Sequence, residues 1–214
     1  MAGTTARDYL RIEDDYLIEV GLTPNRVDAA SHIGVARDLA AYLRSRGEDV
    51  SVKMPDVSAF APDNHDLGVK IRVENHEAAP RYAGVTVKNC KIAPSPEWMQ
   101  NCLRAAGINP KNNLVDITNF VLFELGQPLH AFDAAKIEGR EVVVRTCAEG
   151  TPFVTLDGVE RKLTAVRKTA KRFGLNTDSS FRFERGVDPN MQVYAAKRAA
   201  LLMKELAGGE ISSD

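Results

Sequence analysis

The amino-acid sequence predicts an α+β domain in which mixed, sandwich-like β-sheets are covered by helices. Three observations carry that expectation. Apolar residues alternate with polar ones at Val69, Ile71 and Val73, the period of a half-buried strand. They recur at helical spacing at Ile33, Ala36, Ala40 and Leu43, and again at Val193, Ala196, Ala200 and Met203. Asp157-Gly158 separates the β-rich runs 153–156 and 159–163, a strong signal for a two-residue hairpin turn.

Taken in order, the run 15–21 (DYLIEVG) has the β-branched and aromatic content of a strand and ends in the turn formers Thr23-Pro24-Asn25. Ser31 is placed to cap the next helix, and Gly47 to stop it. Val50 and Val52 alternate with Ser51 and Lys53 as a further strand, 55–66 reads as loop, and 82–92 as another β segment. Ser95-Pro96 opens a helix, with Ser95 as cap and with Trp98, Cys102 and Ala106 on its inner face. The run 114–126 is apolar almost all round at helical length, which marks a buried helix. After Gln127-Pro128 come a strand over 141–147 and the hairpin, then a short basic helix ending at Gly174 and a polar loop over 176–188. Asp188-Pro189 opens the last helix, and Gly208-Gly209 closes it.

The composition is that of a soluble globular core, with 44% hydrophobic and 27% charged residues in a chain of 214. Lys plus Arg number 28 against 29 Asp plus Glu, so any nucleic-acid contact must come from a local patch rather than from net charge. Cys90, Cys102 and Cys147 have no CxxC spacing; buried thiols in a reducing compartment are the reading they favour. No apolar run reaches the ~18 residues of a membrane span. Motifs for a serine hydrolase, a zinc hydrolase or a nucleotide-phosphate loop are absent, so neither a metal site nor a nucleotide-phosphate cradle is expected.

The candidate chemistry centres on His130, which follows the helix stop Gly126 and Pro128 on a rigid corner. Asp116, Thr118 and Asn119 interrupt the apolar helix before it, where polar side chains either satisfy backbone groups or face a cavity. His130 itself is either a packed core histidine or a site residue. The basic residues Arg167, Lys168, Lys171 and Arg172, joined by Arg182 and Arg185, either grip phosphates or form a solvated face. His32, His65 and His76 read as solvated.

Three runs carry a more specific resemblance: TPNRVDAASHIGVARDLAAYL (23–43), VDITNFVLFELGQPLHAFD (115–133) and KTAKRFGLNTDSSFRFERGVDP (168–189). They resemble the B3/B4 editing region of bacterial phenylalanyl-tRNA synthetase β subunits. The resemblance implies that 1–214 is a B3/B4 domain of a larger β subunit, in a cytoplasmic α2β2 ligase that uses ATP and magnesium in the parent enzyme. Its partners would be tRNA(Phe) and the α subunit, with no cofactor in this domain and no membrane. It further implies hydrolysis of mischarged tyrosyl-tRNA, with His130 catalytic, Thr118, Asn119, Thr177 and Ser179 binding substrate, and Arg167, Lys168, Lys171 and Arg172 contacting tRNA. The alternative is a non-catalytic tRNA-binding or scaffold module of the same ligase. Two departures stand out. Ser179 replaces a common alanine, and several dozen residues of the family pattern, including a glutamate-bearing strand, are missing between 163 and 167.

Overall fold

The computed structural model describes residues 3–10, 16–154, 158, 160–162 and 177–212. Helices dominate: α1 Ala6–Leu10, α2 His32–Ser45, α3 Glu97–Ala105, α4 Asn113–Leu125, α5 Asp178–Arg185 and α6 Met191–Ala207. The strands form three two-stranded pairs. Strand β1 (Lys70–Val73) runs parallel to β3 (Glu141–Val144), with Ile71 opposite Val142. Strand β2 (Val87–Lys88) runs antiparallel to β6 (Glu210–Ile211), and β4 (Pro152–Val154) runs antiparallel to β5 (Glu160–Lys162). This is the α+β mixture of helices and small sheets that the sequence predicts.

The core lies where α4 crosses α6 and α3. Ile117, Val121 and Leu125 of α4 meet Ala195, Ala199 and Leu202 of α6 and Met99 and Leu103 of α3, and all of them are buried. Alanines on α6 leave room for the bulkier α4 side chains, so the two helices interlock closely. A bidentate Arg198–Glu124 pair, with both N–O distances 3.1 Å, fixes their register beside the core. Helix α4 starts where the Asn112 side chain accepts from the Leu114 and Val115 amides, and ends at Gly126 in the left-handed conformation (φ 78°).

The apolar character of α4 makes its buried polar residues costly unless they are paired. Both are paired. Asp116 accepts from Ser95 Oγ at 2.6 Å and from the Lys111 amide at 2.8 Å. Asn113 accepts from the Ala93 amide and donates to the Lys91 carbonyl, tying the connection before α3 to the start of α4. Asp116 is therefore a structural clasp.

Several expectations are corrected. The runs 16–21 and 50–53 form no strand, and of 82–92 only Val87–Lys88 pairs, because β content needs a neighbouring edge as well as alternation. Ser95 does not cap α3. Its hydroxyl is spent on Asp116, and Pro96 takes the cap position. The inner face of α3 carries Met99 and Leu103, while Trp98 is 47% exposed and Cys102 is exposed; Trp98 instead meets Phe120 edge to face. On α6 the innermost residues include Ala195, Ala199 and Leu202 rather than Val193, Ala196 and Met203, which are half-buried. The 176–188 loop contains α5, nucleated by a reciprocal capping box between Thr177 and Ser180. Cys147 is also exposed, so buried thiols hold only in part, for half-buried Cys90. The basic helix predicted before Gly174 lies outside the described residues. No described helix is long and apolar enough to cross a membrane.

Candidate functional site

The three sequence runs that carry the resemblance meet in space around the C-terminal end of α4. The turn 27–31, stabilised as a 3-10 helix over Val27–Ala29, lies against α2 and faces Gly126. A β-carbon built on Gly126 would sit 3.3 Å from Ser31 Cβ, so the two segments are packed almost backbone to backbone. Helix α5 is locked onto the same place by one buried side chain. Arg182 donates to the Ala30 carbonyl through Nε at 3.1 Å and Nη2 at 2.7 Å, and to the Asp178 carbonyl through Nη1 at 2.8 Å. Its guanidinium lies 5.3 Å from the centre of the Phe123 ring on α4. His32 reaches the same helix, its Nδ1 3.0 Å from the Phe123 carbonyl oxygen.

Between these segments opens a cleft of about 210 Å³. Its apolar wall includes Val27, Ile33, Met54, Leu125 and Met191, and its polar groups are Asp28, Ser31, Arg37, Gln127 and Asp188. Gln127 is only 5% exposed, and its carboxamide oxygen has no hydrogen-bond partner among the described residues. Leaving a buried acceptor without a donor costs on the order of 1–3 kcal/mol. At the rim, Arg26 spans Asp28 (3.0 Å) and Asp38 (2.6 Å). That contact holds the Asp28 carboxyl below the usual carboxylate range, so the rim charge on Asp28 is negative at neutral pH. Arg37 donates to the Asp28 backbone carbonyl at 3.1 Å.

Beyond Gln127 the chain turns the corner that displays His130. Leu129 packs into the core cluster while the next residue, His130, is exposed, its ring 4.4 Å from that of Phe132 and tilted by 55°. The alternative of a packed core histidine is thereby removed. Thr118 is 7% exposed and donates its hydroxyl to the Val115 carbonyl at 2.7 Å, leaving its oxygen able only to accept. Asn119 is half-buried, and its carboxamide makes no hydrogen bond to a described residue. It stands one turn before Phe123, whose ring meets the Arg182 guanidinium of α5. Thr177 is exposed, with Oγ1 accepting from the Ser180 amide at 3.1 Å, and Ser179 is half-buried on the first turn of α5. Asn119, Thr177 and Ser179 thus belong to two helices joined by Arg182. No hydrogen bond links His130 to Thr177 among the described residues.

Arg167, Lys168, Lys171 and Arg172 lie outside the described residues. Arg182 is buried and structurally committed, which removes it from the phosphate-gripping set; Arg185 is exposed and stacks 3.9 Å from the Phe181 ring centre. Among the described residues no group of three or more His, Cys, Asp or Glu side chains is arranged to hold a metal. Sequence reasoning missed Gln127, Asp28 and Arg37. The available signal was their position inside the ordered runs 23–43 and 115–133, since none has a motif of its own.

The α+β frame thus carries a cleft at the ends of α2, α4 and α6 in which an apolar wall meets a few polar groups. The chain belongs to the B3/4 domain family, which matches it over 78–166 and 162–208. Over 99% of its length it is similar to the phenylalanine--tRNA ligase beta subunit of Bacteroides fragilis, at 52% identity across 255 residues. It is 47% identical to that of Porphyromonas gingivalis over 98% of the chain, and 42% identical to that of Bacillus subtilis over 92%. The chain spans about a third of these relatives' length, 31% for the first two and 30% for the third.

Proposed function

We propose that this chain is the editing domain of a phenylalanine-tRNA ligase beta subunit, binding the acceptor end of tRNA(Phe) and hydrolysing mischarged tyrosyl-tRNA. The observation that carries the reading is the display of His130. An exposed imidazole stands on a corner after Leu129, three residues beyond the Gln127 that lines the cleft with its carboxamide oxygen; His130, Thr118, Asn119, Thr177 and Ser179 are not themselves among the cleft-lining residues. An apolar pocket that selects phenylalanine cannot strongly reject an analogue that merely adds a hydroxyl, discrimination being limited to about 100-fold. A second site that pairs with that hydroxyl inverts the selectivity, because phenylalanine leaves its polar groups unpaired.

The scissile bond is an ester, so water held in line with the carbonyl suffices without a side-chain nucleophile. His130 orients that water or the terminal ribose. Asn119 offers its carboxamide, Thr118 a hydroxyl oxygen that accepts, and Thr177 and Ser179 line the amino-acid side. Arg167, Lys168, Lys171 and Arg172 contact the tRNA phosphates. On this reading the domain works in the cytoplasm within a larger assembly with an α subunit, and ATP and magnesium serve that assembly's aminoacylation site.

A second reading, a tRNA-binding or scaffold module without hydrolysis, is favoured by one observation. The match to the Bacteroides fragilis subunit runs over 255 residues although this chain has 214, and the two family matches overlap at 162–166. We place the shortfall there, between 163 and 167, where the resemblance expects a glutamate-bearing strand. Deacylation of tyrosyl-tRNA by the chain and by His130→Ala separates the readings. Hydrolysis above the solvent rate that is lost in His130→Ala with an unchanged circular-dichroism spectrum supports editing. Solvent-rate deacylation by both, with tRNA still bound, selects the scaffold.

A further inference from the structure

The corner that displays His130 carries a second ring. Phe132 is 60% exposed, and its ring centre lies 4.4 Å from that of His130 with the two planes tilted by 55°. A lone exposed phenylalanine would mean little. Three other phenylalanines are tied to other helices or distant loops: Phe120 meets Trp98, Phe123 lies by the Arg182 guanidinium, and Phe60 by the Lys197 ammonium. Phe132 instead meets an imidazole two residues away on its own loop, and neither ring belongs to the core cluster into which Leu129 packs. The pair is held from both sides. Pro128 and Leu129 restrain the chain before it, and after it the Asp133 carboxylate accepts from the Ala135 amide to start a 3-10 helix over Ala134–Lys136.

Beyond the rings stand cations without partners. Lys136 ends that 3-10 helix, and Arg140 precedes β3 with φ 51°, a left-handed value uncommon outside glycine. Both are exposed, and neither makes an ion pair with a described residue, whereas Arg26, Lys88, Arg198 and Lys204 all do. Glu138, between them, lowers the local charge without pairing with either. Exposed rings followed by unpaired cations suit a single-stranded nucleic-acid end, because every base has a face to stack and every nucleotide a phosphate. We propose that Phe132 is the stacking platform for the 3'-terminal adenine of the tRNA acceptor end, with Lys136 and Arg140 receiving the phosphates that precede it. The assignment rests on the editing reading. With the base on Phe132, the ribose attached to it comes beside the adjacent imidazole, so His130 serves the ribose that carries the ester.

The test measures binding of the 214-residue chain to a tRNA(Phe) acceptor minihelix that has either the full CCA end or lacks the last adenosine. The full end binds about tenfold more tightly, a difference of about 1.4 kcal/mol and within the range for one base stacked on an aromatic ring. Phe132→Ala removes that preference and Phe132→Trp keeps it, with the thermal midpoint unchanged in both, as a ring outside the core allows. When 2-aminopurine is the last base, its fluorescence is quenched on binding to the unchanged chain and to Phe132→Trp, but not to Phe132→Ala. Lys136→Gln and Arg140→Gln each weaken both minihelices alike. Equal affinity of the unchanged chain for the two ends overturns the proposal, as does a preference that survives Phe132→Ala or failure to bind either end. Release of tyrosine from tyrosyl-tRNA judges editing separately. Release at the solvent rate with the adenosine preference intact sinks editing alone, and release by Phe132→Ala with an unchanged KM sinks the platform alone.

Discussion

Replacing Arg182 with Met keeps the length and most of the packing of the side chain while removing every donor, and so isolates what the guanidinium does. Two of its bonds end on the Ala30 carbonyl, whose residue is 8% exposed; with Met that oxygen is left buried and unpaired. A stranded group of this kind costs about 1–3 kcal/mol. Loss of the contact over Phe123 adds about 0.5–1 kcal/mol. The ion pair with Asp178 adds little, because that carboxylate is half exposed. The sum is about 1.5–4 kcal/mol, which for a chain of this size lowers the thermal midpoint by about 3–16 °C. Urea denaturation read at two wavelengths gives the free energy directly, and Arg185→Met, an exposed neighbour, serves as control. A loss below about 0.5 kcal/mol for Arg182→Met would refute the claim that this residue clamps α5 onto the turn at Ala30.

Two further substitutions address the cleft and the fold. Gly34→Ala places a β-carbon 2.1 Å from the Asp28 carbonyl oxygen and 2.7 Å from Ala29 Cα, both backbone, so the turn lining the cleft must move. A loss of about 1–3 kcal/mol by chemical denaturation is expected, despite the better helix propensity of alanine. Asp63 is held below its ordinary pKa by the Lys204 ammonium and by the Ile211 amide at 2.9 Å. The folded chain therefore binds fewer protons than the unfolded chain near pH 4, and this contribution is full above that range and lost as pH falls through the folded value. Thermal midpoints taken from pH 7 to pH 3 fall less steeply in Asp63→Asn than in the unchanged chain; parallel curves would contradict the assignment.

Legibility followed the strength of local signals. Helix α4 was readable to within a residue, because an apolar run ending in Gly126 leaves the chain few choices, and the Ser31 cap and the antiparallel pairing of β4 with β5 were equally local; the register Val154–Glu160 differs from that of the expected two-residue turn. The Leu17 to Val20 segment failed because a strand needs an edge to pair with, and no described element provides one. Helix α5 was hidden because its apolar content is low; what fixes it is a capping box and one arginine reaching 152 positions along the chain to Ala30. On α3 the choice of Trp98 over Met99 was a phase error of a single residue, and the clasp from Ser95 to Asp116 settles that phase. The exposed corner that carries His130 was foreshadowed by Gly126 and Pro128. Gln127 was not, since nothing local distinguishes a glutamine that will be buried without a partner from one in solvent.

The most direct measurement of the central claim is a side-by-side time course of the hydrolysis of tyrosyl-tRNA(Phe) and phenylalanyl-tRNA(Phe) by the purified chain. Faster release of tyrosine than of phenylalanine, both referred to the spontaneous rate, is the predicted result. Equal release of the two amino acids, or release of neither above the spontaneous rate, would contradict it.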